Sequence, residues 1–141
     1  MLDTKPKTIL TEDYVNNLFF QYLDVVTKQS TKFHGLVLGN ADCNKLVAVK
    51  KYLEEKNVQY KIVPEYDIIA GKIPDDKVVV VITTTTFINN NRDFSTALKL
   101  LIEKQDKKFI LVCDECGRER YFDFNYTSLE SRCVLFHYPN Y

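Results

Sequence analysis

Hydrophobic residues near the start of the chain recur every three to four positions, as in an amphipathic helix packed on a core. This pattern predicts a helix over residues 11–29, with Thr11 as its N-cap. The apolar residues that define it are Val15, Leu18, Phe19, Tyr22 and Val26. Residues 1–10 lack such a pattern and are predicted to form an N-terminal arm.

The rest of the chain alternates short apolar runs with helical segments. Residues 77–83 are β-branched and apolar on both faces, which is typical of a central strand in a parallel sheet. The predicted strands are 33–38, 58–63, 77–83, 107–113 and 133–138. The predicted helices are 42–56, one capped by Asp93, a short one at 127–132 and one turn near 66–70. Strands that alternate with helices imply right-handed crossovers. We therefore expect a single α/β domain over 11–141, a three-layer doubly wound parallel sheet of about five strands flanked by helices, as in Rossmann or flavodoxin-like folds.

Composition narrows the possible partners. The 141 residues include 19 Lys and Arg and 19 Asp and Glu, so no basic footprint for nucleic acid is visible. No apolar run reaches the roughly 18 residues that span a membrane, and the N-terminus lacks the apolar region of a signal peptide. The four cysteines do not form the pattern of a secreted disulfide framework. These features predict a cytoplasmic protein without a membrane partner.

Two predicted loops lie where a doubly wound sheet binds ligands, beyond the carboxyl ends of its strands. The first, residues 39–44, opens a helix, and backbone N–H groups at a helix N-terminus bind anions. The second, residues 83–91, carries hydroxyl and amide groups that suit a sugar or a phosphate. The candidate binding residues in these loops are Gly39, Asn40, Cys43, Thr83, Thr84, Thr85 and Thr86. A capped strand–helix turn and a polar turn remain the simpler interpretations of the two loops.

Catalytic and metal chemistry is less evident. No Ser/His/Asp order, paired-carboxylate site or P-loop pattern stands out, so we predict no catalytic residue and no cofactor. Cys113 and Cys116 have the spacing of a zinc knuckle, which Cys133 and His137 would complete. Cys133 and His137 lie four residues apart in a predicted strand, however, which separates them by roughly 13 Å. We therefore predict no metal site and keep zinc as an alternative.

The order of elements resembles the sugar isomerase (SIS) domain, and within it the sensor domain of the RpiR family of transcription regulators. Residues 39–43 stand where the family has Gly-x-Gly-x-Ser, and residues 68–86 where an apolar strand runs into Ile-Ser-x-Ser-Gly-x-Thr. Residues 97–113 resemble the family's next helix and strand, and residues 127–135 its Ser-x-Leu-x-x-x-Ala-Asp-x-x-Leu segment. The chain departs from these motifs at Ala41, Cys43, Thr86 and Ile88.

The resemblance implies a phosphosugar-binding effector domain of an RpiR-type regulator, without catalytic activity. Its ligand would be a sugar phosphate held by the two loops and by Ser128. It also implies a homodimer or tetramer that contacts DNA only through a separate helix-turn-helix domain outside this chain. One alternative is a phosphosugar isomerase with Glu65 or Glu119 as the base. A weaker alternative is a zinc-stabilised interaction domain.

Overall fold

A computed structural model of the protein describes residues 12–28, 31–115 and 132–138. These residues form five helices and five strands. In chain order they are α1 (Glu12–Val26), β1 (His34–Gly39), α2 (Lys45–Glu55), β2 (Tyr60–Pro64), α3 (Glu65–Ala70), β3 (Val78–Thr84), α4 (Thr85–Asn90), α5 (Arg92–Glu103), β4 (Lys108–Asp114) and β5 (Cys133–His137).

The strands form one sheet in the order β2–β3–β4–β1–β5. Every pairing is parallel. The chain runs from β1 across the sheet to β2 at one edge and then returns strand by strand through β3 and β4. The α/β fold class expected from the sequence is confirmed.

Each face of the sheet carries a layer of helices. Side chains alternate between faces along a strand, so both faces of the central strands are apolar. The core under α1 and α2 includes Val37, Val80, Ile110 and Val112. The core under α3, α4 and α5 includes Leu36, Leu38, Val79, Val81 and Leu111. The chain crosses the sheet in one direction from β1 to β2 and in the opposite direction from β2 to β4. Because each crossover is right-handed, this reversal places α2 on one face and the later helices on the other.

Strand β1 is buried along its whole length and is tied to its surroundings by Tyr22 of α1. The Tyr22 hydroxyl accepts a hydrogen bond from the Leu36 backbone N–H at 2.8 Å and donates to the Val134 carbonyl of β5. Burial raises the pKa of Tyr22, which therefore keeps its proton for this contact. The helix thus fixes β1, and with it the turn that follows β1.

The threonine tract differs from the polar loop predicted over residues 83–91. Strand β3 continues through Thr84, and α4 begins at the next residue. The Thr84 hydroxyl accepts from the Phe87 N–H at 3.0 Å, and the Asn91 side chain accepts from the Phe94 N–H at 2.9 Å. Asn91, rather than Asp93, therefore caps α5. The loop prediction is wrong because these polar side chains cap two consecutive helices.

The sheet register separates two of the four cysteine and histidine residues considered as zinc ligands. Cys113 aligns with Leu38 of β1, whereas Cys133 aligns with His34 at the other end of the same strand. Four residues of strand, roughly 13 Å, and two strand spacings therefore separate the two thiols. Both cysteines are buried in the sheet.

Some predictions fall outside the described residues. They are the arm at 1–10, the N-cap Thr11, the short helix at 127–132, and the roles of Cys116, Glu119 and Ser128. The extent of the domain, 11–141, stays a prediction.

Candidate functional site

The carboxyl end of β1 lies between those of β4 and β5 and is hydrogen-bonded to the residues that follow both strands. The Glu115 N–H, just after β4, donates to the Gly39 carbonyl at 2.9 Å. The Tyr138 N–H, just after β5, donates to the Leu38 carbonyl at 2.8 Å. A Cβ at Gly39 would lie 2.8 Å from the Cys43 Sγ and 2.9 Å from the Tyr138 Cβ, so this tightly packed position requires glycine.

A tight turn links β1 to α2. The Cys43 N–H donates to the Asn40 carbonyl at 3.2 Å. Asn44, the residue before α2, has φ 61° and ψ 27°, the left-handed conformation that glycine and asparagine tolerate best. Helix α2 therefore begins at Lys45, three residues later than the sequence predicts. Burial raises the pKa of the Cys43 thiol, which is therefore neutral near pH 7.

Lys45 is the first residue of α2, and only 2% of it is exposed. Its Nζ donates to the Asn40 carbonyl at 3.0 Å and forms an ion pair with Asp114, the last residue of β4. Asp114 stands beside Gly39 in the sheet register, and its side chain is 35% exposed. A buried ammonium therefore contacts the turn through the Asn40 carbonyl and is paired with a partly exposed carboxylate.

The residues of this turn follow the spacing of a phosphate-binding loop. A P-loop is a strand, the motif Gly-x-x-x-x-Gly-Lys-[Ser/Thr] and a helix, whose backbone N–H groups and lysine hold phosphates. Gly39 and Lys45 occupy the positions of the first glycine and the lysine. Asn44 occupies that of the second glycine and keeps a left-handed conformation there. Leu46 replaces the hydroxyl residue that binds magnesium.

The end of β3 supplies no carboxylate to this edge. Thr84 aligns with Asp114, but its hydroxyl caps α4. Thr83 is 1% exposed and belongs to the opposite face of the strand, together with Val79 and Val81. Magnesium prefers carboxylates together with phosphate oxygens. The edge thus lacks two of the usual means of holding magnesium beside a bound phosphate.

Glu115 and His137 form a second polar pair at the same edge. The Glu115 Oε1 lies 2.8 Å from the His137 Nε2. The Glu115 side chain is 9% exposed, and His137 is half-exposed on β5. A second carboxylate therefore lies one residue beyond Asp114.

The structure brings together only some of the site residues that the sequence predicts. Gly39, Asn40 and Cys43 lie together in the turn around Lys45. Thr83 and Thr85 are buried, Thr84 is a helix cap, and Thr86 is exposed on α4. Whether any of these residues binds a ligand stays a prediction.

Sequence reasoning missed Lys45 and Asp114. The available signal was the six-residue spacing from Gly39 to Lys45 after a buried strand, together with Asp114 and Glu115 directly after the apolar run of β4. The five-residue motif identified over residues 39–43 stops two residues before Lys45 and therefore missed it.

The described residues contain neither a grouped metal site nor a helix able to span a membrane. Over residues 12–28, 31–115 and 132–138, no three His, Cys, Asp or Glu side chains are grouped so that they could hold a metal ion. In that part of the chain, no helix has the length and apolar character needed to cross a membrane.

Comparisons with known proteins find similarity in structure only. No protein-family model matches the chain, and no curated protein matches it. Among solved structures, AMPPCP-bound DnaA from Aquifex aeolicus superposes with a TM-score of 0.59 at 10% identity. Replication initiator DnaA bound to AMPPCP and single-stranded DNA gives 0.55 at 13%, and the Aeropyrum pernix ORC1 protein in complex with DNA gives 0.52 at 12%. Each match covers 92% of this chain but only 47%, 47% and 48% of the respective neighbours, so the chain spans about half their length.

These neighbours correct the family resemblance drawn from the sequence. The chain shares the fold of these replication initiators and not that of an SIS domain, so the SIS and RpiR interpretation is wrong. The predicted phosphosugar-sensing function and the predicted sugar phosphate partner are wrong as well. The structure explains the error, because the turn after β1 leads into a buried lysine and the threonine tract is a strand end and a helix cap.

Proposed function

We propose that this chain is a P-loop-type nucleotide-binding domain that holds nucleotide phosphates without magnesium-dependent hydrolysis. One observation carries the proposal. Gly39, the left-handed Asn44 and the buried Lys45 occupy P-loop positions between a central parallel strand and an 11-residue helix. Backbone N–H groups at such a helix N-terminus bind anions.

Two further points support the proposal. Two of the structural neighbours hold AMPPCP, a nucleotide analogue, in folds like this one. Loss of hydrolysis follows from Leu46 and from the threonines at the end of β3, since magnesium neutralises the developing charge in phosphoryl transfer.

Direct binding measurements test the first half of the proposal. Calorimetric titration with ADP and ATP, each in EDTA, should give saturable binding to the wild-type chain. Lys45→Ala should abolish this binding, because it removes the ammonium under the loop. Lys50→Ala is the matched control, since Lys50 is exposed on the same helix and should be neutral. Absence of binding by both nucleotides, or equal loss in the two variants, contradicts the proposal.

Phosphate release tests the second half. With ATP and magnesium, we expect no release beyond that of the Lys45→Ala variant. Turnover that Lys45→Ala removes would show that the site hydrolyses nucleotide and would contradict this half alone.

A further inference from the structure

The ion pair under the loop points to a second property of the site, which rests on the proposed function. We propose that Asp114 is a specificity-determining residue: its carboxylate is the resident counter-ion of Lys45 and makes the loop prefer nucleoside diphosphates to triphosphates. Asp114 acts through Lys45 and need not touch the nucleotide.

Asp114 contacts the same ammonium that a phosphate in the loop would contact. Lys45 is 2% exposed, whereas the Asp114 side chain is 35% exposed. The ammonium is thus shielded from solvent, and the carboxylate paired with it is partly accessible. A phosphate that reaches Lys45 must share the ammonium with Asp114 or displace it.

The charge balance of the edge is unfavourable for a highly charged ligand. Lys45 contributes one positive charge, which Asp114 offsets, and the largely buried side chain of Glu115 adds a further carboxylate paired with His137. P-loops usually offset the charge of a triphosphate with magnesium, and Leu46 replaces the hydroxyl that would bind it here. Each added phosphate therefore brings negative charge toward a carboxylate with no added cation to compensate. Because this repulsion is weakly screened in a part-buried site, the penalty rises from diphosphate to triphosphate.

A second role for Asp114 is chemically reasonable and must be separated from this one. A carboxylate at a strand end beside phosphates can also bind magnesium. The two roles predict opposite effects of removing the charge. A counter-ion weakens nucleotide binding, so its removal strengthens binding in EDTA. A metal ligand strengthens binding only when magnesium is present.

The experiment compares the wild-type chain with Asp114→Asn, which keeps the shape of the side chain and removes its charge. Dissociation constants for ADP and ATP are measured in EDTA and in excess magnesium. We expect the wild type to bind ADP several-fold more tightly than ATP in EDTA. Asp114→Asn should raise the affinity for ATP by about tenfold and the affinity for ADP by less. The preference for ADP should therefore narrow or reverse.

Glu55→Gln is the matched control. Glu55 is exposed and is the last residue of α2, at the end of the helix away from the loop. A gain from Glu55→Gln equal to that from Asp114→Asn would show a general charge effect and overturn the proposal. Weaker ATP binding by Asp114→Asn in magnesium alone would overturn it in favour of a metal ligand.

Three further outcomes also decide the proposal. If Asp114→Asn fails to fold, as judged by circular dichroism, the wild-type preference still decides, because tighter binding of ATP than ADP in EDTA contradicts the proposal. If the wild type binds nucleotide and Asp114→Asn leaves its selectivity unchanged, this inference fails and the proposed function stands. If neither protein binds any nucleotide, both fail.

Discussion

Among the described residues, two lysines are buried at opposite ends of the strands, one at the carboxyl edge and one at the amino edge, and different groups bind their ammonium groups. Lys45 lies at the carboxyl edge and pairs with a carboxylate and a backbone carbonyl. Lys108 lies at the amino edge, is 4% exposed, and donates to the Thr31 carbonyl, the Thr31 hydroxyl and the Phe33 carbonyl at 2.6, 2.9 and 3.0 Å. The Lys108 contacts that the structure describes are thus neutral oxygens of one short segment.

The contrast distinguishes Lys108, which stabilises the fold, from Lys45, whose carboxylate partner a ligand anion can replace. Lys108 fastens the segment before β1 to β4, and burial lowers its pKa because no described carboxylate offsets the desolvation. Lys45 faces a carboxylate that is one-third exposed and can be hydrated when it leaves the pair. A ligand anion can therefore take the place of Asp114, whereas nothing in solution replaces the backbone oxygens around Lys108. The predictions below test this division.

Lys108→Met should produce the largest loss of stability. The substitution keeps the apolar stem but leaves two part-buried backbone carbonyls without their donor, at about 1–3 kcal/mol for each group left unsatisfied. We expect the free energy of unfolding in urea to fall by about 3 kcal/mol. Lys50→Met, at an exposed position of α2, should change it by less than about 0.5 kcal/mol. Loss of less than about 1 kcal/mol from Lys108→Met would mean that Lys108 is not a structural anchor.

His34 should make the amino edge sensitive to acid. Burial and the nearby Lys108 charge lower its pKa from 6.5 to about 4, and its Nδ1 accepts from the Phe109 N–H at 3.1 Å. The unfolded chain therefore binds more protons between pH 6.5 and 4, so this contribution is full above pH 6.5 and is lost as pH falls. With screening allowed for, we expect a loss of about 2 kcal/mol over this range.

Unfolding in urea at several pH values measures this effect. His34→Gln keeps an acceptor for the Phe109 N–H and should remove the His34 part of the acid sensitivity. His137→Gln is the control. His137 is the second of the two histidines in the sequence and lies on β5, at the opposite end of the strands from His34. If His137→Gln removes the sensitivity and His34→Gln does not, the assignment is wrong.

Lys45→Met should cost less stability than Lys108→Met. It breaks an ion pair, but Asp114 can turn to solvent, so the penalty for an unpaired charge is small. We expect a loss of about 1 kcal/mol in urea unfolding, together with loss of nucleotide binding. Lys108→Met should show the reverse, with large destabilisation and unchanged nucleotide affinity in the folded fraction. A larger stability loss at Lys45 than at Lys108 would contradict the division between the two edges.

The sequence predicted the fold better than the site because the two depend on different signals. The β-branched run of β3 and the helical spacing of α1 report burial, which sequence periodicity records directly. The threonines after β3 carry no such periodicity, and their hydroxyls suit a helix cap as well as a ligand.

The pair of Lys45 and Asp114 could not be read from local pattern. The two residues lie 69 positions apart, and only the order of the strands brings β4 beside β1. The glycine that usually marks a P-loop is replaced by Asn44, so the motif disappears at the level of residue types while its backbone conformation remains. A search for Gly and Lys six positions apart after a buried strand would have found it.

The smallest expected effects distinguish the backbone of the loop from the stability of its helix. Asn44 and Asn57 both adopt the left-handed conformation, with φ 61° and 55°, at the two ends of α2. Alanine at either position should cost about 1 kcal/mol in urea unfolding, because a Cβ without a compensating polar group is strained there. Only Asn44→Ala should weaken ADP binding, since only Asn44 shapes the turn over Lys45. Asn44→Gly, which suits the same φ, should retain binding. Equal weakening by Asn44→Ala and Asn57→Ala would mean that binding follows the stability of α2 and not the geometry of the loop.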